Sequence, residues 1–207
     1  MEYIPSKINY SFPKKDELLT NIPNWKIDPS RSVLLIHDMQ QFFLNFFAEE
    51  MKNILIKNIS LMKKWAYENN VTVAYSLQPG GMTKEQRGLL KDFWGEGMRM
   101  TSEDRAVPDE ICPKHDDWLL TKWRYSAFFK SDLIEMMRKS KKDQLIITGV
   151  YGHIGILMTS LESYTNDFET FIIEDAIADF SKDLHIMTLN YTAKCCAALF
   201  TVGEIIK

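Results

Sequence analysis

No stretch of the chain stays apolar for anything like the roughly 18 residues that a membrane-spanning helix needs. The opening Met-Glu-Tyr-Ile-Pro-Ser-Lys also lacks the basic-then-apolar order of a secretory signal, so a cytoplasmic protein without a membrane partner is expected. Basic clusters are missing too. With 25 lysines and arginines against 28 acids, the net charge of −3 leaves no footprint for nucleic acid or anionic lipid, and a small molecule is the expected partner. Cysteine is scarce: Cys112, Cys195 and Cys196 are an odd number, and the adjacent pair cannot easily bridge within a regular element. Reduced, buried thiols are expected. The chain has no G-x-S-x-G elbow for a serine hydrolase. Its histidines, His37, His115, His153 and His185, lie far apart with no H-x-x-x-H or C-x-x-C spacing to support a metal site, and no cofactor is expected.

What the chain does have is a rhythm. At 207 residues and 45% apolar content it suits one well-buried core, a single domain over 1–207. Ser32 to His37 is a short apolar run without alternation, the pattern of a strand buried on both faces. Val71 to Ser76, Trp118 to Leu120, Gln144 to Thr148, Thr170 to Ile173 and Ala197 to Val202 resemble it. Amphipathic stretches separate most of these runs. Leu55, Ile59, Met62 and Ala66 give one a single apolar face, with Lys57, Lys64 and Glu68 opposite. Ser181 reads as the N-cap of a helix through Tyr191 toward Cys195, and Ser131 as the start of another through Ser140. The expectation is an α/β fold with a mostly parallel sheet covered on both faces, ligands sitting beyond the strands' carboxyl ends. Residues 1–30, with Pro5, Pro13, Pro23 and Pro29, read as an extended arm laid over it.

Function should follow the strand ends. The first strand runs into Asp38, and an aspartate after four apolar residues is costly to bury unless paired or protonated. Lys122, at another strand end, can pair with it. Taken singly, Asp38 reads equally well as a helix cap and Lys122 as a surface charge. The same loops carry Phe42, Phe43, Phe46 and Phe47, then Trp94, then Tyr125, Phe128 and Phe129, many of them core by residue type. The loop Gly149 to Gly155 invites a dinucleotide-binding reading. Its G-x-x-G-x-x-G spacing after the fourth predicted strand argues against that, although backbone N–H groups there could hold a carboxylate.

Four segments together carry a resemblance: Ser32 to Gln40, Leu120 to Phe128, Gln144 to Gly155 and Asp175 to Ser181. In collinear order over roughly Ile22 to Ile206 they resemble the motifs of the isochorismatase family. The resemblance implies a three-layer α-β-α sandwich with six parallel strands in the order 3-2-1-4-5-6. It also implies a homodimer or larger assembly and a non-proline cis peptide just before Tyr151. In related thiol hydrolases a cysteine stands where this chain has Gly155, and metal-binding relatives carry Asp-x-His where it has Gln78-Pro79. Neither thiol nor metal chemistry is therefore implied.

The reaction implied is hydrolysis of a vinyl ether in a cyclic dicarboxylate, isochorismate or 2-amino-2-deoxyisochorismate, with release of pyruvate. Protonation of the methylene carbon limits such a reaction, and Asp38 is the implied acid, with Lys122 beside it. Enclosure and a dianionic substrate favour the protonated carboxyl, whereas the ammonium of Lys122 opposes it. By resemblance Gln78, Arg87, Lys122, Tyr151 and the N–H of Gly155 hold the substrate's polar groups, while Phe42, Trp94 and Tyr125 line apolar walls. Without the resemblance Arg87 reads as a solvated helix residue, and Tyr151 reads equally well as packing or as a ligand-binding residue. Residues Gly80 to Met98 and Ile156 lean towards phenazine rather than siderophore biosynthesis, and with the chain ending at Lys207 no carrier domain is expected. The alternative is a catalytically silent scaffold of a biosynthetic complex.

Overall fold

The computed structural model describes residues 4–207. Six strands, β1 (Ser32–His37), β2 (Thr72–Leu77), β3 (Trp118–Thr121), β4 (Gln144–Val150), β5 (Glu169–Ala178) and β6 (Ala198–Phe200), form one sheet. Their order is β3-β2-β1-β4-β5-β6, and every pairing is parallel. The helices in chain order are α1 (Gln41–Leu44), α2 (Glu49–Glu68), α3 (Lys84–Arg87), α4 (Leu90–Trp94), α5 (Ser102–Arg105), α6 (Leu133–Lys139), α7 (Leu157–Thr165), α8 (Lys182–Cys195) and α9 (Val202–Ile205).

Side chains alternate across each strand, so β1 feeds two cores. Leu34 and Ile36 pack with Leu55, Ile59, Met62 and Ala66 of α2, all four fully buried. Val33 and Leu35 pack with Leu133 and Met137 of α6 and Leu189 and Ala193 of α8. The sheet thus lies between helical layers, and its continuous apolar strands follow from burial on both faces.

Some boundaries move. β5 runs on past Ile173 to Ala178 because Glu174 and Asp175, which look like a strand end, are accommodated: Asp175 Oδ1 accepts from Val202 N at 2.8 Å. The same contact ends β6 early, since Thr201 leaves the strand to cap α9. The helix expected from Ser131 has Asp132 as its N-cap, although Ser131 Oγ still accepts from Leu133 N at 3.4 Å. Of the three cysteines only Cys196 is buried, and Cys112 and Cys195 are exposed, contrary to the expectation of three buried thiols.

The arm lies along the α2 face and the β6 edge. Ile8 is buried against Phe47, and Asn21 pairs its side-chain amide with both main-chain groups of Leu199, covering part of the edge strand. No helix among the described residues is long and apolar enough to cross a membrane.

Candidate active site

The carboxyl ends of β1 to β5 converge on a cavity of about 600 Å³, its mouth included. Asp38, Phe42, Gln78, Arg87, Trp94, Lys122, Tyr125, Tyr151 and Gly155 all line it. The sequence places them up to 117 positions apart, and only the sheet order brings them together.

Asp38 leaves β1 in the left-handed region (φ 53°), which aspartate tolerates better than most residues. Its main-chain N–H still extends the sheet to Ser76 O at 3.0 Å. The turn aims its carboxylate across β2: Ser76 Oγ donates to Oδ1 at 3.0 Å and Lys122 Nζ to Oδ2 at 2.7 Å. Both charges are buried, so each stabilises the other where neither has water. Gln78 is held through its main chain, whose N–H donates to Gln40 Oε1 (2.8 Å) and whose carbonyl accepts from Gln40 Nε2 (3.0 Å). Its own side chain is left for the cavity.

Arg87 is buried under α4, donating through Nε to Gly95 O at 2.9 Å and through Nη2 to Trp94 O at 3.1 Å. Burial pulls its pKa below the ordinary arginine value, Glu96 opposes that, and the nearby Arg124 charge adds to it. An arginine nevertheless keeps its charge. Trp94 Nε1 donates to Tyr125 Oη at 2.8 Å, which ties the α4 segment to the loop after β3.

Tyr151 differs from its sequence reading. Its hydroxyl donates to Phe43 O at 2.8 Å, and its ring stacks on Phe47 and meets Phe180 edge-on. What it can offer a ligand is ring surface and main chain, not a free hydroxyl. The Val150–Tyr151 peptide is cis, the arrangement that the resemblance implies.

The glycines of the β4 loop are packed on protein atoms. A Cβ built on Gly149 would lie 2.1 Å from His37 O, on Gly152 2.6 Å from Asp179 Oδ2, and on Gly155 2.2 Å from His37 Cε1. These glycines are thus required by packing on protein atoms, which removes the reason to read them as a dinucleotide motif. The same geometry also shows why no thiol stands at 155: His37 occupies the space. His37 is fully buried, its Nδ1 2.8 Å from Val150 O, and burial depresses its pKa to about 4, so the ring is neutral. The neutral ring therefore donates from Nδ1 to that carbonyl. Among the described residues no group of three or more His, Cys, Asp or Glu side chains is placed to hold a metal.

Sequence reasoning missed Arg124 and Phe180 as lining residues. Both sat inside segments already singled out, each at a strand end. Ile4, also at the cavity, comes from the arm and left no local signal.

In fold the chain is similar to a cysteine hydrolase from Pseudomonas syringae pv. phaseolicola 1448A, with a TM-score of 0.82 at 20% identity, covering 88% of this chain and 94% of that one. The likeness is one of fold. Sequence carries further. The model of the isochorismatase domain matches residues 32–204. The chain is 48% identical to the phenazine biosynthesis protein PhzD of Pseudomonas fluorescens over 206 residues, covering all of both chains. It is 41% identical to enterobactin synthase component B of Escherichia coli (strain K12), covering 92% of this chain and 67% of that protein. The chain belongs to the isochorismatase family of hydrolases.

Proposed function

We propose that this protein hydrolyses the vinyl ether of isochorismate or 2-amino-2-deoxyisochorismate, releasing pyruvate and the ring alcohol. The observation that carries the reading is Asp38, the one carboxylate among the described residues lining an aromatic cavity whose other charges are all cationic.

In the proposed substrate complex the Asp38 carboxyl carries a proton and delivers it to the terminal methylene carbon, and the electron pair of the double bond forms the new C–H bond, leaving an oxocarbenium ion. Water adds to the cationic carbon and returns a proton to Asp38. The hemiketal hydroxyl then loses its proton and forms the carbonyl as the C–O bond to the ring breaks, and the departing ring oxygen takes up a proton, giving pyruvate and the alcohol. Lys122 orients the carboxyl through its 2.7 Å contact. Arg87 and the Gly155 N–H bind carboxylate oxygens, Gln78 the polar ring substituents, and Phe42, Trp94, Tyr125 and Tyr151 exclude bulk water.

Phenazine biosynthesis is the nearer of two settings, supported by full-length similarity to PhzD, whereas the enterobactin synthase component extends beyond the matched region. The test is pyruvate release by purified protein from each substrate separately. Comparable turnover of both supports a site indifferent to hydroxyl or amine, and absence of pyruvate from both overturns the hydrolase reading.

A further inference from the structure

Asp179 is a fully buried carboxylate that takes no part in the steps above. Among the described residues it pairs with no lysine or arginine, only with His153. A carboxylate so placed persists where hydrogen bonds satisfy it. Asp179 has three. Its Oδ2 accepts from His153 N at 2.6 Å, and its Oδ1 accepts from His153 Nδ1 at 2.5 Å and from Phe180 N at 2.8 Å. The arm fixes its main chain, since Asp179 N donates to Tyr10 Oη at 2.7 Å.

The extension of β5 is what delivers this residue. Its last pairs with β4, Gly149 with Ile177 and Val150 with Ala178, place Asp179 beside the point where β4 ends. Past that point Gly152–Ile156 form one wide helical turn, in which Ile156 N donates to Tyr151 O at 3.2 Å, and α7 follows. Turns of this kind are rare and gather at functional sites. Two side chains grip this one. Asp179 packs under Gly152 and His37 under Gly155, each in space that a Cβ would take. Gly155 lines the cavity, and so does Phe180, whose ring meets His153 edge-on with 5.0 Å between centroids.

We infer that Asp179 is a positioning residue of this site: its carboxylate holds the Gly152–Ile156 turn so that the Gly155 N–H is presented to a ligand carboxylate. The inference rests on the binding role proposed for that N–H and adds what keeps it in place. A carboxylate accepts on both oxygens, whereas an asparagine of the same shape turns an NH2 group towards one set of the donors. The turn then loosens, while Asp38 and Lys122, at the ends of other strands, keep their contact. The effect falls on binding and not on proton transfer.

The experiment compares Asp179→Asn with its parent in pyruvate release from isochorismate, and in binding of isochorismate by calorimetry with Asp38→Asn added to stop turnover. Asn21→Ala, which loses two hydrogen bonds to β6 and does not line the cavity, controls for stability alone. Asp179→Asn, folded by circular dichroism, is expected to raise KM and Kd at least about tenfold, the scale of a charged hydrogen bond, with kcat within about threefold. Asn21→Ala should leave all three within about twofold. Kd and KM within about twofold of the parent overturn the inference, because Asp179 then serves the fold alone, and so does a loss confined to kcat. If Asp179→Asn does not fold, His153→Asn and His153→Phe decide, since asparagine keeps a donor near the Nδ1 position and phenylalanine keeps only the ring. A KM at least about threefold higher with phenylalanine supports the inference, and equal values overturn it. Pyruvate release with unaltered Kd removes this inference alone. An altered Kd without pyruvate release from the parent removes the hydrolase reading alone.

Discussion

Lys122 Nζ lies 2.7 Å from Asp38 Oδ2, and their side chains are 3% and 7% exposed. Breaking a buried pair from one side costs about 3–5 kcal/mol, because the remaining charge has neither partner nor water. Lys122→Met should therefore lower stability to urea by that order, and Asp38→Asn/Lys122→Met should recover part of the loss. Asp38→Asn, folded by circular dichroism, should release pyruvate about 10²- to 10⁴-fold more slowly, the range general acids contribute. Near wild-type turnover in that variant would remove Asp38 from the mechanism.

His37 fills the space beside Gly155. Gly155→Ala should destabilise by about 1–3 kcal/mol through overpacking, since its Cβ would meet the imidazole at 2.2 Å. In a His37→Ala background the same change should cost less, giving a non-additive double-mutant cycle by chemical denaturation. Additive costs would mean that the ring is not what excludes a side chain at 155.

Stability should fall on acidification. Burial depresses His37 and His185 from 6.5 to about 4. Their unfolded forms take up protons below about 6.5 while the folded forms do not until about 4, so stability is lost as pH drops through that window. Glu174 works the other way. Burial raises it from 4.5 to about 7, so its folded form keeps a proton that the unfolded form releases, and stability is lost as pH rises from 4.5 to 7. Burial raises Asp175 as well, in the same direction as Glu174, and Glu174→Gln should steepen the acid-side decline that the two histidines produce. Urea midpoints across pH 4.5 to 7.5 check both statements; an unchanged slope in the variant would exclude Glu174 as the opposing group.

Asn21 donates to Leu199 O at 3.0 Å and accepts from Leu199 N at 2.8 Å, acting as a short extra rung on β6. Replacing it with alanine removes both bonds and should cost about 1–3 kcal/mol. Thermal denaturation of Asn21→Ala against wild type measures this, and an unchanged midpoint would show that the arm does not stabilise the edge.

The strands were legible because burial on both faces demands uninterrupted apolar runs, and the α2 face because Leu55, Ile59, Met62 and Ala66 keep helical period. Glu174 and Asp175 misled: acids signal a strand end unless distant groups satisfy them, and Val202 N lies 27 positions away. Arg87 and Arg124 were harder still. Nothing local distinguishes a guanidinium buried under a neighbouring helix from one in solvent. Gly155 could be read as a missing thiol by resemblance, yet the ring that takes its place belongs to a residue 118 positions earlier.

The sequence by itself determined that Asp38 and Lys122 stand at strand ends, because hydrophobic period and strand termini are local properties of the chain. Only the tertiary structure decided that they meet at 2.7 Å, that His37 closes the space at Gly155, and that the Tyr151 hydroxyl turns to Phe43. Those outcomes depend on strand order and on which side chains compete for one volume. Neither is encoded at any single position.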